Sequence, residues 1–263
     1  MLLSKSMRLS FFALLDRLIV PAPDPARVGW LREWEYAHRG LHRGGVPENS
    51  LAGFAQAAER GMGIECDIQR SRDGAAMLMH DWELDRLTGL SGPTDAHSAD
   101  ELAQIAFLDS EHRLARLSDL LPILGETTPV LIEIKSRRGY DVERSCRAVA
   151  DTMAGYDGPY AVMSFDPRVS AWFARHAPQT VRGLVMREDE RGYTQKAWQR
   201  HFALWAARPE FIAYHVAALP NPIVASLRER GLPVLTWTVN SPETRQHGQR
   251  YADALISEGA GLA

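Results

Sequence analysis

The run Gly63-Ile64-Glu65-Cys66-Asp67-Ile68 sets two acids inside an otherwise apolar segment of strand length, and Val130-Leu131-Ile132-Glu133-Ile134-Lys135 does the same with an acid and a lysine. In a strand, residues i and i+2 face the same way, so Glu65 and Asp67 point together, as do Glu133 and Lys135. Apolar runs of this kind read as buried strands, and a buried strand has no structural use for an ionised side chain. The two runs are therefore read as walls of one site.

Working outward, further strand-like runs lie at 34–38, 75–80, 160–165, 181–186, 211–215 and 233–239, which makes eight in all. Between most of them come segments of helical periodicity with stop signals: 50–60 before Gly61, 141–154 before Gly155, 167–176 before Pro178 and 222–230 before Gly231. Ser50 is the expected cap of the first helix, Asp166-Pro167 opens another, and Gly155 and Gly231 supply the left-handed residue after a helix end. Strand and helix in alternation imply a parallel sheet wrapped by helices. A chain of 263 residues matches the roughly 250 of a single α/β barrel.

Two places break the regularity. Only residues 69–74 separate the second and third runs, too few for a helical crossover. Ser71-Arg72-Asp73-Gly74 is a turn signal there, so the link is a tight hairpin or an extended return. Beyond His80, residues 82–117 hold Gly89, Ser91-Gly92-Pro93 and a short helix candidate at 99–105, and read as an insertion over the barrel mouth. The expected organisation is an N-terminal helical extension, 1–33, followed by one barrel domain, 34–263.

With 45% hydrophobic and 24% charged residues, the chain can bury a sizeable core without disulfides or metal staples. A net charge of -3 and a pI near 6.3 exclude a broad basic nucleic-acid surface and leave a small molecule as the expected partner. Cys66 and Cys146 show no paired metal spacing and read as reduced core thiols, which suits a cytoplasmic protein. Lys5 and Arg8 ahead of the apolar residues 9–15 imitate a secretory signal. Asp16 and Arg17 cut that run short, and residues 21–25 offer no small-x-small cleavage site. The segment is expected to pack on the protein's own body, with peripheral contact to a membrane surface as the alternative.

Three carboxylates, Glu65, Asp67 and Glu133, converging at strand ends would repel one another without a hard cation between them, and oxygen-only ligands suit Mg2+ or Ca2+. One such acid alone would more simply pair with Lys135 or an arginine. His38 and His80, each ending a strand-like run, add groups that donate and accept protons near neutral pH. Arg39 and Lys135 supply fixed positive charge suited to a phosphate.

In order along the chain come His38-Arg39-Gly40, Pro47-Glu48-Asn49-Ser50, Glu65-x-Asp67, Ser71-x-Asp73-Gly74, His80-Asp81, Leu84-x-Arg86-x-Thr88-Gly89, Glu133-x-Lys135 and Trp237-Thr238-Val239-Asn240. By this series the chain resembles the glycerophosphodiester phosphodiesterases, over most of its length from about Tyr36 to Ser257. The resemblance implies a TIM (β/α)8-type barrel, irregular between the second and third strands, and a metal-dependent hydrolase that cleaves glycerophosphodiesters to glycerol 3-phosphate and an alcohol. It assigns His38 and His80 as acid and base, and Glu65, Asp67 and Glu133 as ligands of Mg2+ or Ca2+. Arg39 and Lys135 fall on the phosphate and Trp237 on the alcohol portion. Close variants are a lysophospholipase D acting on lysophospholipids and a phosphoinositide-type phosphodiesterase. A non-catalytic phosphoester- or membrane-binding barrel is the alternative from another class.

Ser50 stands where the family more usually has threonine, and Leu255-Ile256-Ser257-Glu258 where it usually has Ile-Ile-Thr-Asp. His42-Arg43-Gly44 repeats His38-Arg39-Gly40 four residues on; the first copy ends the apolar run, and the second is expected in the loop, near substrate. Gly61-Met62-Gly63 precedes a strand where a dinucleotide fingerprint would follow one. Ser164 and Ser226 lack a nucleophile elbow. Trp198 and Trp205, seven apart, have ordinary core spacing.

Overall fold

A computed structural model describes residue 12, residues 14–190 and residues 192–262. Among the described residues, nine strands succeed one another: β1 (Tyr36–Ala37), β2 (Gly63–Arg70), β3 (Ala76–Leu78), β4 (Val130–Ile134), β5 (Tyr160–Ser164), β6 (Val181–Met186), β7 (Phe211–His215), β8 (Val234–Val239) and β9 (Ala254–Ser257). All but β3 pair in parallel, in the order β1-β9-β8-β7-β6-β5-β4-β2, and β1 pairs with β2 to close the ring. The result is an eight-stranded barrel with helices between strands.

Helix boundaries follow their local chemistry. The Ser50 hydroxyl accepts from the Gly53 amide, 3.2 Å, at the start of the helix Leu51–Glu59. The Asp166 carboxylate accepts from the Arg168 amide, 2.9 Å, at the head of Pro167–His176. Gly155 and Gly231 both take positive φ after helix ends, as expected of residues without a Cβ. Cys66 and Cys146 are free and buried between sheet and helices.

Strand residues of mixed size, Tyr36, Leu131, Ala161, Phe211, Leu235 and Ala254, share one buried cluster. Gly183 belongs to this fit, since a Cβ there would stand 2.3 Å from the Phe211 ring.

The run 75–80 is not a barrel strand. Its core, β3, pairs antiparallel with the far end of β2, with Ile68 opposite Leu78 and Arg70 opposite Ala76. The eighth barrel strand is instead β9, four residues that follow the helix Pro242–Tyr251 and were noted in the sequence only as a motif. The link 69–74 is thus a hairpin: the Ala75 amide donates to Ser71 Oγ, 2.8 Å, and Gly74 turns the chain at φ +98°. After β3, the Met79 amide donates to the Asp67 carbonyl, 3.0 Å, so the return strand delivers His80 to the level of Asp67.

Residues 82–117 contain the short helices Asp85–Thr88 and Ala99–Gln104, the latter closed by a Ser98/Glu101 capping box. Towards the N-terminus, most of residues 5–15, with the signal-like apolar run, lies outside the described residues. From 14 to 19 the chain is helical, and the buried Asp16 carboxylate accepts from Trp205 Nε1, 2.8 Å, and stands 2.9 Å from His201 Nδ1. This segment packs on the protein's own body. Trp205 joins that packing, but Trp198 is 52% exposed, because the helix Ala197–Ala207 turns Arg200, His201, Leu204 and Ala207 inward. Among the described residues, no helix is long and apolar enough to cross a membrane.

Candidate active site

The alternation of β2 and β4 turns Glu65, Asp67 and Glu133 to one side, and the register sets Asp67 directly beside Glu133. One oxygen of each lies within 4.8 Å of the others, and all three residues are buried. Lys135, just past β4, bridges two of them with Nζ 2.6 Å from Asp67 and 2.5 Å from Glu133. Arg39, just past β1, points its side chain at Asp67, 3.1 Å, while its backbone amide donates to Glu65, 3.0 Å. Arg39 holds φ +56°, a left-handed conformation that brings both groups onto the acids at once.

Charge does not balance within this cluster. Lys135 and Arg39 face three carboxylates, and Arg39 is shared with a fourth, Glu48, at 2.8 Å. Burial pushes the Asp67 carboxyl up, but Lys135 and Arg39, with His80 and His38 further out, overcome it and hold it well below the usual range. Burial likewise opposes the Lys135 charge, and Asp67 with Glu133 more than restores it. Glu65 fares differently: burial, Asp67 and Glu133 drive its carboxyl well up, and the two cations compensate only in part. A buried all-oxygen trio short of positive charge fits a divalent cation such as Mg2+ or Ca2+.

Both histidines carry a carboxylate on Nδ1. His38 meets Glu258 at 2.5 Å, and His80 meets Asp81 at 2.6 Å. Asp81 is tied in turn to Arg86, 2.5 Å, and Arg86 forks onto Glu48 at 2.7 and 3.0 Å. A chain of ion pairs therefore runs from His80 through Asp81, Arg86, Glu48 and Arg39 back to Asp67. Burial and the Lys135 charge hold the His80 imidazole below its ordinary pKa, against Asp67 and Asp81. A cavity of about 750 Å³ opens beside the cluster, lined by His80, Trp82, Arg86, Glu133, Lys135 and Phe165 among others.

Seven of the eight residues singled out in the sequence, His38, Arg39, Glu65, Asp67, His80, Glu133 and Lys135, gather at the C-terminal ends of the strands. The eighth, Trp237 on β8, stands one ring away: its indole meets the Phe165 ring edge-on at 5.3 Å. His42 turns its Nε2 toward Glu258, 3.6 Å away. Sequence reasoning assigned no role to Asn49 or Glu258. Asn49 is buried and clasps Asp67 twice, its Nδ2 donating to Oδ2 at 2.9 Å and its Oδ1 accepting from the Asp67 amide at 3.0 Å. The motif Pro47-Glu48-Asn49-Ser50 was the available signal for it.

Residues 38–258 match the model of the Glycerophosphoryl diester phosphodiesterase family. The chain is similar to a glycerophosphodiester phosphodiesterase of Caldanaerobacter subterraneus subsp. tengcongensis, 26% identical over 79% of this chain and 86% of that one. It is also similar to glycerophosphodiester phosphodiesterase 1 of Bos taurus, 24% identical over 90% and 83%. Among solved structures, an Oleispira antarctica phosphodiesterase in complex with the product sn-glycerol-3-phosphate superposes with a TM-score of 0.74, at 23% identity over 85% of this chain and 92% of the other. A glycerophosphodiester phosphodiesterase from Thermotoga maritima gives 0.70, at 23% identity over 84% and 92%. Both likenesses show the barrel fold.

Proposed function

The chain belongs to the Glycerophosphoryl diester phosphodiesterase family, and we propose that it hydrolyses glycerophosphodiesters to glycerol 3-phosphate and an alcohol with His38 and His80 as acid and base. The observation that carries this reading is the meeting, at one barrel mouth, of an acid trio and two carboxylate-backed histidines beside a cavity large enough for a small diester.

Glu65, Asp67 and Glu133 are the residues that would hold a divalent cation, which when bound supplies Lewis-acid polarisation of a phosphoryl oxygen. Lys135 and Arg39 lie against the same acids and face a phosphate that enters beside them, drawing its charge into the site. One histidine takes a proton from the attacking group, either water or a neighbouring substrate hydroxyl, and the other gives a proton to the leaving alkoxide as its P–O bond breaks; where the hydroxyl attacks, water then opens the cyclic phosphate to glycerol 3-phosphate. Asn49 fixes Asp67, and the Glu48–Arg86 fork fixes Asp81 and Arg39, so the acceptors and donors stay in place without substrate. Trp237 and Phe165 offer an apolar wall to the alcohol portion.

A panel of glycerophosphodiesters and lysophospholipids, assayed for glycerol 3-phosphate release, tests the reaction. His38→Ala and His80→Ala should each lower turnover by about 10²–10⁴-fold with circular dichroism unchanged. Fully active, folded variants would remove both histidines from the mechanism.

A further inference from the structure

We propose that Glu258 is a positioning residue for His38 and that His42, placed on the same carboxylate, belongs to this arrangement; the proposal rests on the proton-transfer role given to His38 above. Glu258 follows β9 directly and His38 follows β1, and these strands are neighbours. Backbone bonds fix both residues: the His38 amide donates to the Ser257 carbonyl at 2.9 Å, and the Glu258 amide to the Val239 carbonyl at 2.9 Å. The Glu258 carbonyl in turn accepts from the Gly261 amide, 2.9 Å. Side chains so anchored meet in one orientation.

The contact itself dictates the tautomer. A carboxylate only accepts, so the 2.5 Å approach of Oε2 to Nδ1 requires the proton on Nδ1. Proton gain and loss are then confined to Nε2. His42 Nε2 stands 3.6 Å from the same Oε2, too far for a hydrogen bond and close enough for charge to be felt. Asp81 gives His80 the same kind of support, but Arg86 partly neutralises it. Among the described residues, no lysine or arginine side chain lies within ion-pair distance of Glu258, so its charge is spent on imidazoles alone. The second copy of the His-Arg-Gly triplet, which the reaction did not otherwise use, thus gains a place.

The test compares Glu258→Gln, Glu258→Asp and His42→Ala with wild type, and with His38→Ala. Glu258→Gln should lower kcat about 10–100-fold and leave KM within about twofold, as expected for loss of a residue that orients an active group. Glu258→Asp, which keeps the carboxylate, should recover most of that loss, and His42→Ala should cost only about 2–5-fold. As a readout that does not need turnover, 15N NMR of the histidine side chains should find the proton on His38 Nδ1 in wild type and a mixed tautomer in Glu258→Ala. The proposal is overturned if Glu258→Gln keeps full kcat where His38→Ala does not, or if the tautomer is the same with and without Glu258. It is overturned equally if Glu258→Asp is as impaired as Glu258→Gln and both lose thermal stability. Should His38→Ala itself be active, the reading of His38 fails, and the NMR comparison alone then decides the part of Glu258.

Discussion

Asp67 is the residue on which the charges of the site converge, touched by Lys135, Arg39 and Asn49 while it is itself buried. Lys135 is what keeps it and Glu133 tolerable in the absence of a cation. Lys135→Met should destabilise the protein by about 3–5 kcal/mol in urea unfolding under chelator, since it strands two buried carboxylates; a change below 1 kcal/mol would contradict the pairing. The pH dependence of Asp67 has a definite sign. Its folded-state pKa is depressed, so its stability contribution is complete above the ordinary carboxylate range, about 4, and is lost as pH falls below that toward the folded value. His80 acts in the same direction at higher pH. With a folded-state pKa under the ordinary value of about 6.5, its contribution is complete above 6.5 and declines as pH falls through the folded value. NMR titration should therefore place the His80 midpoint below 6.5, and a midpoint at or above it would sink the assignment of its environment.

The acid-bearing strands were legible in the sequence because side-chain alternation is a local rule: Glu65-x-Asp67 and Glu133-x-Lys135 each fix a shared face without reference to the rest of the chain. β9 was not, because three apolar residues and a serine after a helix carry too little periodicity to separate a strand from a helix end. The hairpin after β2 was half legible: Ser71-x-Asp73-Gly74 signals a turn, but only pairing across β2 and β3 decides where the chain goes next. That decision brings His80 to Asp67. Glu258 and Asn49 escaped for the same reason, as their partners lie 220 and 18 residues away. At this scale the ring also tolerates little change in volume. Gly183→Ala should cost about 1–3 kcal/mol, because the added methyl meets the buried Phe211 ring; denaturant unfolding with no loss of stability would show that the ring yields.

Taken whole, the barrel gathers its candidate site at one end. The N-terminal helix, held through Asp16 to His201 and Trp205, lies on the body of the barrel, and none of its described residues lines the cavity beside the acid trio. A cation taken up by the buried trio should stabilise the fold: Mg2+ or Ca2+ at about 100 times its Kd should add about 2.7 kcal/mol, visible as a rise in Tm. Asp67→Asn should abolish that rise. The central claim, that this mouth cleaves glycerophosphodiesters with a cation held by Glu65, Asp67 and Glu133, meets its most direct test in one assay. Glycerol 3-phosphate release from a glycerophosphodiester is measured with Mg2+ or Ca2+ and again in excess EDTA. Release that depends on the cation and stops under chelation is the predicted result; no release under any condition, or turnover undiminished by EDTA, would contradict it.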